Sequence, residues 1–438
     1  MYDSEVYKRI HSEVGKIKII DMHQHLTLPH NFAKECRIDF GRLFAHYAGS
    51  DVVSAGMPAD DMMQVRTCED EGGWTLESKW AAIKPYYERS WNTAYCESLR
   101  IAIRELYGID DLRDDTIGPL SEKMNAVPRD TWTREVLDRS GIDIALNCIL
   151  DWVEAEPVYA RKRYPDLFLY CMQDRFSYLE VETLSQDSGI EIRDFKDYLR
   201  MIDWYFENFA DESPAFKINR AYSRTLFFDE VAESHAASVF AEFKKSSVGP
   251  SSREMQALED YIIHYCIMKC GEYNLPVMIH TGIQEGNGND VRNSRAALMI
   301  NLFTKYPNVK FDIFHISWPY TEELIAISKN FPNVYIDFCW AWIFNPPAAR
   351  RYLSDMLETV PLNKIHGFGG DYIVVEGTYG HSTIARREIA RVLEEKVLEG
   401  RFTEEYALHV AGRLLRENAL ENFRIPEKRR IVAERACK

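Results

Sequence analysis

The feature that most constrains this chain is a recurring one: eight short apolar runs of β character, each feeding a helical stretch. They are KIKIIDMH (16–23), GIDIALNCIL (141–150), LFLYCM (167–172), PAFKINR (214–220), LPVMIHT (275–281), VKFDIFHI (309–316), NVYIDFCW (333–340) and KIHGFGGD (364–371). Runs so short and so rich in β-branched and aromatic residues suit strands buried on both faces, as in parallel sheets. Turn signals such as Asn274-Leu275-Pro276 and Phe331-Pro332-Asn333 separate several of them from the preceding helix. Eight strands with intervening helices leave two architectures, a (β/α)8 barrel or a doubly wound sheet. The polar residues decide between them. His25, Lys217, His280, His315 and Asp371 all fall at or near the C-terminal end of a run. A barrel collects its site from many strand ends at once, whereas an open sheet gathers ligands mainly at one switch point. The expected fold is therefore α/β, a (β/α)8 TIM barrel.

Two segments exceed a minimal barrel. Residues 26–140 look mainly helical, most clearly at 81–108, and are expected to form a helical insertion subdomain after strand 1. Residues 221–274 form a second helical insertion, after strand 4. The barrel then takes residues 1–25 and 141–424, its outer layer closed by the amphipathic stretch 401–424, and 425–438 is a C-terminal tail.

Charge bounds the partners. Lys and Arg number 53 against 68 Asp and Glu, a net −15. Such a surface repels phosphate backbones and anionic lipid, so no nucleic-acid or membrane partner is expected. A small-molecule substrate is, and a homo-oligomer is compatible with this composition. No apolar run reaches the length of a bilayer span, and the first twenty residues carry charges throughout with no signal-peptide core. The nine cysteines are scattered, without a paired-doublet zinc spacing. Reduced thiols and a cytoplasmic location are the expectation.

His23 and His25 form His-x-His on the first strand. Period-2 alternation places both imidazoles, and Asp21, on one face, with Met22 and Gln24 pointing away. Two nitrogen donors on a rigid strand make half a site for a borderline cation such as zinc. Alone, the pair is as well explained by histidines satisfied through hydrogen bonds. His280 and His315 close two consecutive runs in matching positions, which is harder to attribute to core packing. Asp371 follows HGFGG, where glycines permit a tight strand end. It can ligate a metal and take a proton from water, or cap the next helix.

Lys217, flanked by Phe216 and Ile218, should direct its amine into the barrel. Three roles fit a buried lysine: a carboxylated bridge between two metals, a cation holding a substrate carboxylate, or a structural ion pair. Arg175 and Arg224 are candidate carboxylate or phosphate clamps, whereas Arg220 reads as a surface salt bridge. Trp340 and Trp342 wall a pocket or pack beneath the rim, and Asp337 is placed to orient a ligand histidine. His381, ten residues past Asp371 in EGTYGHS, reads as a substrate contact in a loop at the mouth. The Gly- and Asn-rich stretch 280–290 lacks the spacing and the Lys-Ser/Thr ending of a P-loop and reads as a mouth loop.

The order Asp-x-His-x-His on strand 1, lysine on 4, histidine on 5, histidine on 6 and aspartate on 8 resembles the amidohydrolase superfamily. From LPVMIHTG through FHISWPY and YIDFCWAW to GFGGDY and LLRENALENF the chain is similar to the amidohydrolase-2 (amidohydrolase-related) branch. The long helical insertion after strand 1 is similar to that of the uronate isomerases of the same superfamily. The resemblance implies His23, His25 and Asp371 as ligands of a first metal, with His280 and His315 nearby. In two-metal members those two histidines hold the second ion and the strand-4 lysine, here Lys217, is carboxylated and bridges. In one-metal members they bind or polarise substrate instead. The expected cofactor is one or two divalent ions, Zn2+ first and Mn2+ as the alternative.

The activity these expectations favour is metal-dependent hydrolysis of an amide, ester or lactone, with Asp371 moving the proton and His280 or His315 polarising the carbonyl. Isomerisation of a sugar acid or decarboxylation in the same pocket is the first rival. A barrel without catalysis, serving as a binding protein, is the second, and the full set of strand-end residues argues against it.

Overall fold

The computed structural model describes residues 4–32, 37–148, 164–245 and 249–436. Its strands are β1 (Ile19–Gln24), β2 (Ile142–Asn147), β3 (Phe168–Tyr170), β4 (Met172–Gln173), β5 (Phe216–Ile218), β6 (Val277–Ile279), β7 (Phe311–Ile313), β8 (Val334–Asp337) and β9 (Ile365–His366). All eight runs contain strand. The third is interrupted at Cys171, and only its second half ladders onto β5. Every residue of β1, β5, β6, β7 and β8 is buried, as the two-faced burial of parallel strands requires. The chain is α/β of the (β/α)8 class, with helical insertions after the first and fourth runs.

Two compact units divide it. The first comprises Met1–Ile149, Gln284–Asn289 and Asp337–Ala419; the second comprises Leu150–Ile283, Asp290–Ile336 and Leu420–Lys438. In the first unit β1 pairs in parallel with β2, Ile19 opposite Ile142 and Gln24 opposite Asn147, with an irregularity of register between Asp21 and Gln24. The Met22 N–H of the same strand donates to the Phe368 carbonyl at 3.1 Å, so β1 lies between β2 and the segment that follows β9. The insertion supplies helices including Tyr47–Ser54, Ala59–Arg66, Leu76–Ser90 and Ala94–Tyr107. The last begins where the Thr93 side chain accepts the Cys96 N–H and ends at Gly108, with φ 66°. It packs on the long helix Val375–Leu398.

In the second unit β4, β5, β6, β7 and β8 pair successively, all in parallel. Helix Phe195–Phe209 buries Phe195, Tyr198, Leu199, Ile202, Tyr205, Phe206 and Phe209 at helical spacing, behind an Asp194 cap on the Asp197 N–H. Ser252–Glu272 opens on a Ser251/Glu254 capping box. Residues set apart as a tail form a helix, Ile425–Ala436, whose Lys428 ammonium donates to the Ala210 and Asp211 carbonyls at 2.9 Å each. Among the described residues no helix is long and apolar enough to cross a membrane. Cys96, Cys148, Cys171, Cys266, Cys270 and Cys339 are in the thiol form, whereas Cys68 is disulfide-bonded, a departure from uniformly reduced cysteines.

Candidate metal centre

In the first unit three donor atoms converge. The Nε2 atoms of His23 and His25 lie 3.1 Å apart, and Asp371 Oδ1 is 3.4 Å from the first and 3.3 Å from the second. Two-residue spacing at the end of β1 puts both rings on one side. Asp371 arrives from the segment after β9, its N–H donating to the His23 carbonyl at 2.8 Å and its backbone in the left-handed region at φ 58°. Such a conformation is costly for a residue with a Cβ and persists where surrounding contacts over-determine it. His25 Nδ1 lies 2.6 Å from the Cys148 carbonyl, which can only accept. The proton therefore sits on Nδ1, and the lone pair of Nε2 faces His23 and Asp371.

Burial shapes the charges here. It pushes His25 down, but the hydrogen bond and charge of Asp371 outweigh it and hold the imidazole above its ordinary pKa. Asp21, wholly buried, is pushed up to about 7 by desolvation, against hydrogen bonds from the Gly370 N–H, the Gln24 amide and the His23 N–H. Gln24, expected to point away, instead bonds the Asp21 carboxylate at 2.5 Å. The register irregularity between these two residues breaks the strict alternation on which that expectation rested.

The insertion adds residues that strand-end reasoning misses. His46 immediately precedes helix Tyr47–Ser54, and the Tyr47 side chain lies within reach of the Asp371 charge. Burial lowers His46 to about 3 and raises Tyr47 well above its ordinary value, the Asp371 charge adding to the latter. Tyr47 stacks on Trp340 at 4.4 Å and on Tyr95 at 5.1 Å, with Tyr372 edge-on at 5.0 Å, an aromatic wall beside Asp371. Trp340 is buried in this stack. Glu285, in the loop after His280, accepts from Ser50 Oγ on the same helix at 3.1 Å. The sequence marks this group only by a His-Tyr pair opening a helix of small residues. The same insertion carries the stretch Arg89-Ser90-Trp91-Asn92-Thr93. It forms the joint between two helices of the insertion.

Other candidates fall elsewhere. In the second unit His280 and His315 meet, Nδ1 to Nε2 at 3.0 Å, while His280 Nε2 lies 3.0 Å from the Ile283 carbonyl. Successive left-handed residues, His315, Ile316 and Ser317, turn the His315 ring into place. The Lys217 ammonium is buried over the Phe314 ring, 4.1 Å from its centroid. Arg175 is ion-paired to Glu180 and Asp187 at 3.0 and 3.1 Å. Arg224 spends Nε on the Thr225 carbonyl, Nη1 on Glu259 and the Gln256 carbonyl, and Nη2 on Asp260 and the Phe227 carbonyl. That guanidinium is a brace and holds no open fork for a carboxylate clamp. Arg220 pairs with Glu259 at 2.5 Å, a salt bridge as expected but a buried one rather than one at the surface. Asp337 accepts the Cys339 N–H at 2.6 Å and faces His366 rather than a ligand histidine.

His381 requires a correction. It lies inside helix Val375–Leu398, wholly buried, with Nδ1 3.0 Å from the Gly370 carbonyl, and not in a loop at the mouth. The two glycines that suggested a loop are sites of close packing. A Cβ on Gly377 would meet the Tyr372 ring at 2.2 Å, and one on Gly380 the Ser98 carbonyl at 2.1 Å.

Comparison with known proteins gives the family. The sequence matches the Amidohydro_2 family, described as amidohydrolase, over residues 197–425, more than half of the chain. It is 25% identical over 190 residues to Protein fluG of Emericella nidulans, an alignment covering 42% of this chain and 22% of that protein. The chain thus spans about a fifth of the length of the curated relative it matches. Among solved structures it is similar to a uronate isomerase from Thermotoga maritima, with TM-score 0.78 and 15% identity over 97% of this chain and 100% of that one. It is also similar to a glucuronate isomerase from Caulobacter crescentus, with TM-score 0.77 and 16% identity over 96% and 94% of the two chains. At these identities the likeness is one of fold.

Proposed function

Because the chain belongs to the Amidohydro_2 family of amidohydrolases, we propose that it is a metal-dependent enzyme that hydrolyses an amide, ester or lactone bond of a small molecule. The convergence of His23, His25 and Asp371 carries this reading. Ligands 2.0–2.1 Å from a tetrahedral ion stand roughly 3.3–3.4 Å from one another, and the three donor atoms are 3.1 to 3.4 Å apart. Two imidazoles and a carboxylate, one imidazole with its tautomer set by Cys148, suit Zn2+ first and Mn2+ second. When bound, the ion supplies Lewis acidity, lowering the pKa of water or polarising a substrate oxygen.

The protein's own groups do the rest. Asp371 takes the proton of the attacking water and returns it to the leaving group. Tyr47, uncharged at neutral pH, stands beside that carboxylate. The wall of Tyr47, Tyr95 and Trp340 keeps bulk water from one side. Asp371→Asn is expected to lower kcat by roughly 100- to 10,000-fold, the usual worth of a general base, while much of the metal stays bound.

One observation favours a second reading, sugar-acid isomerisation. The likeness to the two isomerases covers nearly the whole chain, including the helical insertion that brings His46 and Tyr47 to Asp371. Incubating the metal-loaded protein with a panel of lactones, esters and amides, and separately with uronates followed by NMR, separates the two. Isomer formation without hydrolysis of any panel member would sink the hydrolase reading.

A further inference from the structure

The residue between the two histidines has no role in the reading above, yet its contacts converge on Asp371. Three successive backbone N–H groups, of Gly370, Asp371 and Tyr372, are each accepted by β1. The Gly370 N–H donates to Asp21 Oδ1 at 2.9 Å, that of Asp371 to the His23 carbonyl at 2.8 Å, and that of Tyr372 to Gln24 Oε1 at 2.9 Å. Gln24 Nε2 donates back to Asp21 Oδ2 at 2.5 Å, joining the first acceptor to the third, and also reaches Thr378 Oγ1 at 3.1 Å. The clamp is tight, for a Cβ on Gly370 would stand 1.9 Å from Gln24 Nε2 and 3.1 Å from Asp21 Oδ2.

This clamp compensates a local cost. Asp371 at φ 58° breaks the regular ladder that Met22 begins with Phe368. Backbone donors at such a bend must find acceptors, because a buried N–H without one is expensive. Ordinarily the neighbouring strand's carbonyls would serve. Here two of the three acceptors are side chains, and a left-handed residue between them turns its carboxylate to the histidines on the same strand.

We propose that Gln24, with Asp21, is a positioning residue for the metal centre: it sets the direction of the Asp371 carboxylate by holding the peptide units on either side of it. This rests on the reading of His23, His25 and Asp371 as metal ligands. Groups that orient ligands from outside the coordination sphere are commonly worth roughly 10- to 100-fold in metal affinity.

The test is Zn2+ affinity of the full chain, by competition with a chromophoric chelator, together with the visible spectrum of the Co2+-loaded protein. Gln24→Met, close in size but without the amide, is expected to lose roughly 10- to 100-fold in affinity and to alter the Co2+ spectrum. Gln24→Asn, which withdraws the amide by one methylene, serves where the Met variant does not fold. Thr378→Val removes a bond to the same amide but none of the three acceptors of the turn's N–H groups, and is expected to change the melting temperature of the metal-free protein but neither metal readout. Wild-type affinity and spectrum in the folded Gln24 variants would overturn the proposal. So would an equal loss in Thr378→Val, which would make the effect one of general stability. His25→Ala separates the two levels: if it binds Zn2+ as tightly as wild type, the metal centre itself is wrong, whatever Gln24 does.

Discussion

Replacing His381 by Asn should make the protein's stability less sensitive to acid, by an amount set by the burial of that ring. His381 is wholly buried, its pKa lowered from 6.5 to about 4 by burial, with the Gly370 carbonyl and the Asp371 charge opposing. Above pH 6.5 it is neutral in both the folded and the unfolded chain, and no stability depends on it. Below pH 6.5 the unfolded chain takes a proton that the folded chain refuses, and this continues down to about pH 4. At about 1.36 kcal/mol per pH unit, the loss between pH 7 and pH 5 is about 2 kcal/mol. Asn keeps an N–H for the Gly370 carbonyl and does not titrate. Contributions from Asp21, His25 and His46 are common to both proteins and cancel in the difference. Urea unfolding of both proteins at pH 7 and pH 5, at one ionic strength, reads that difference directly. The variant should gain about 2 kcal/mol relative to wild type on going to pH 5. A stability gap equal at the two pH values would refute the buried, neutral imidazole.

Two further substitutions address the supports of the site. Gly380→Ala drives a Cβ to within 2.1 Å of the Ser98 carbonyl oxygen, so the helices Ala94–Tyr107 and Val375–Leu398 must part. The expected cost is roughly 1–3 kcal/mol, seen as a lower Tm, and an unchanged Tm would contradict that close packing. Arg224→Ala leaves Asp260 buried without its cation, a loss of roughly 3–5 kcal/mol at an unchanged KM. A raised KM with little loss of stability would return Arg224 to the substrate.

Much of this was legible in the residues because it is local. A run such as VMI or FDI suits a strand buried on both faces, as in a parallel α/β sheet, and eight such runs alternating with helices carry the fold class with them. His23 and His25 share a face because side chains on a strand alternate, and Asp371 follows glycines at a strand end. What escaped depends on distant segments approaching one another. Gly377 and Gly380 are the same residues whether they loosen a loop or admit Tyr372 and Ser98 against a helix, so His381 was placed at the mouth when it is buried beneath the Asp371 turn. An arginine that clamps a substrate and one that braces two acids look alike until Glu259 and Asp260 are seen beside Arg224. His46 and Tyr47 stand more than three hundred residues from Asp371, and nothing near them in the chain announces the contact. The irregular register of β1, which turns Gln24 toward Asp21, likewise leaves no local sign.

The central claim is an ion held by His23, His25 and Asp371. Crystals grown with Zn2+ and measured across the zinc absorption edge test it most directly. An anomalous peak about 2.0–2.2 Å from both Nε2 atoms and from Asp371 Oδ1 is the predicted result. A map from the Zn2+-loaded protein with no peak among these three residues, or with its only peak elsewhere, would contradict it.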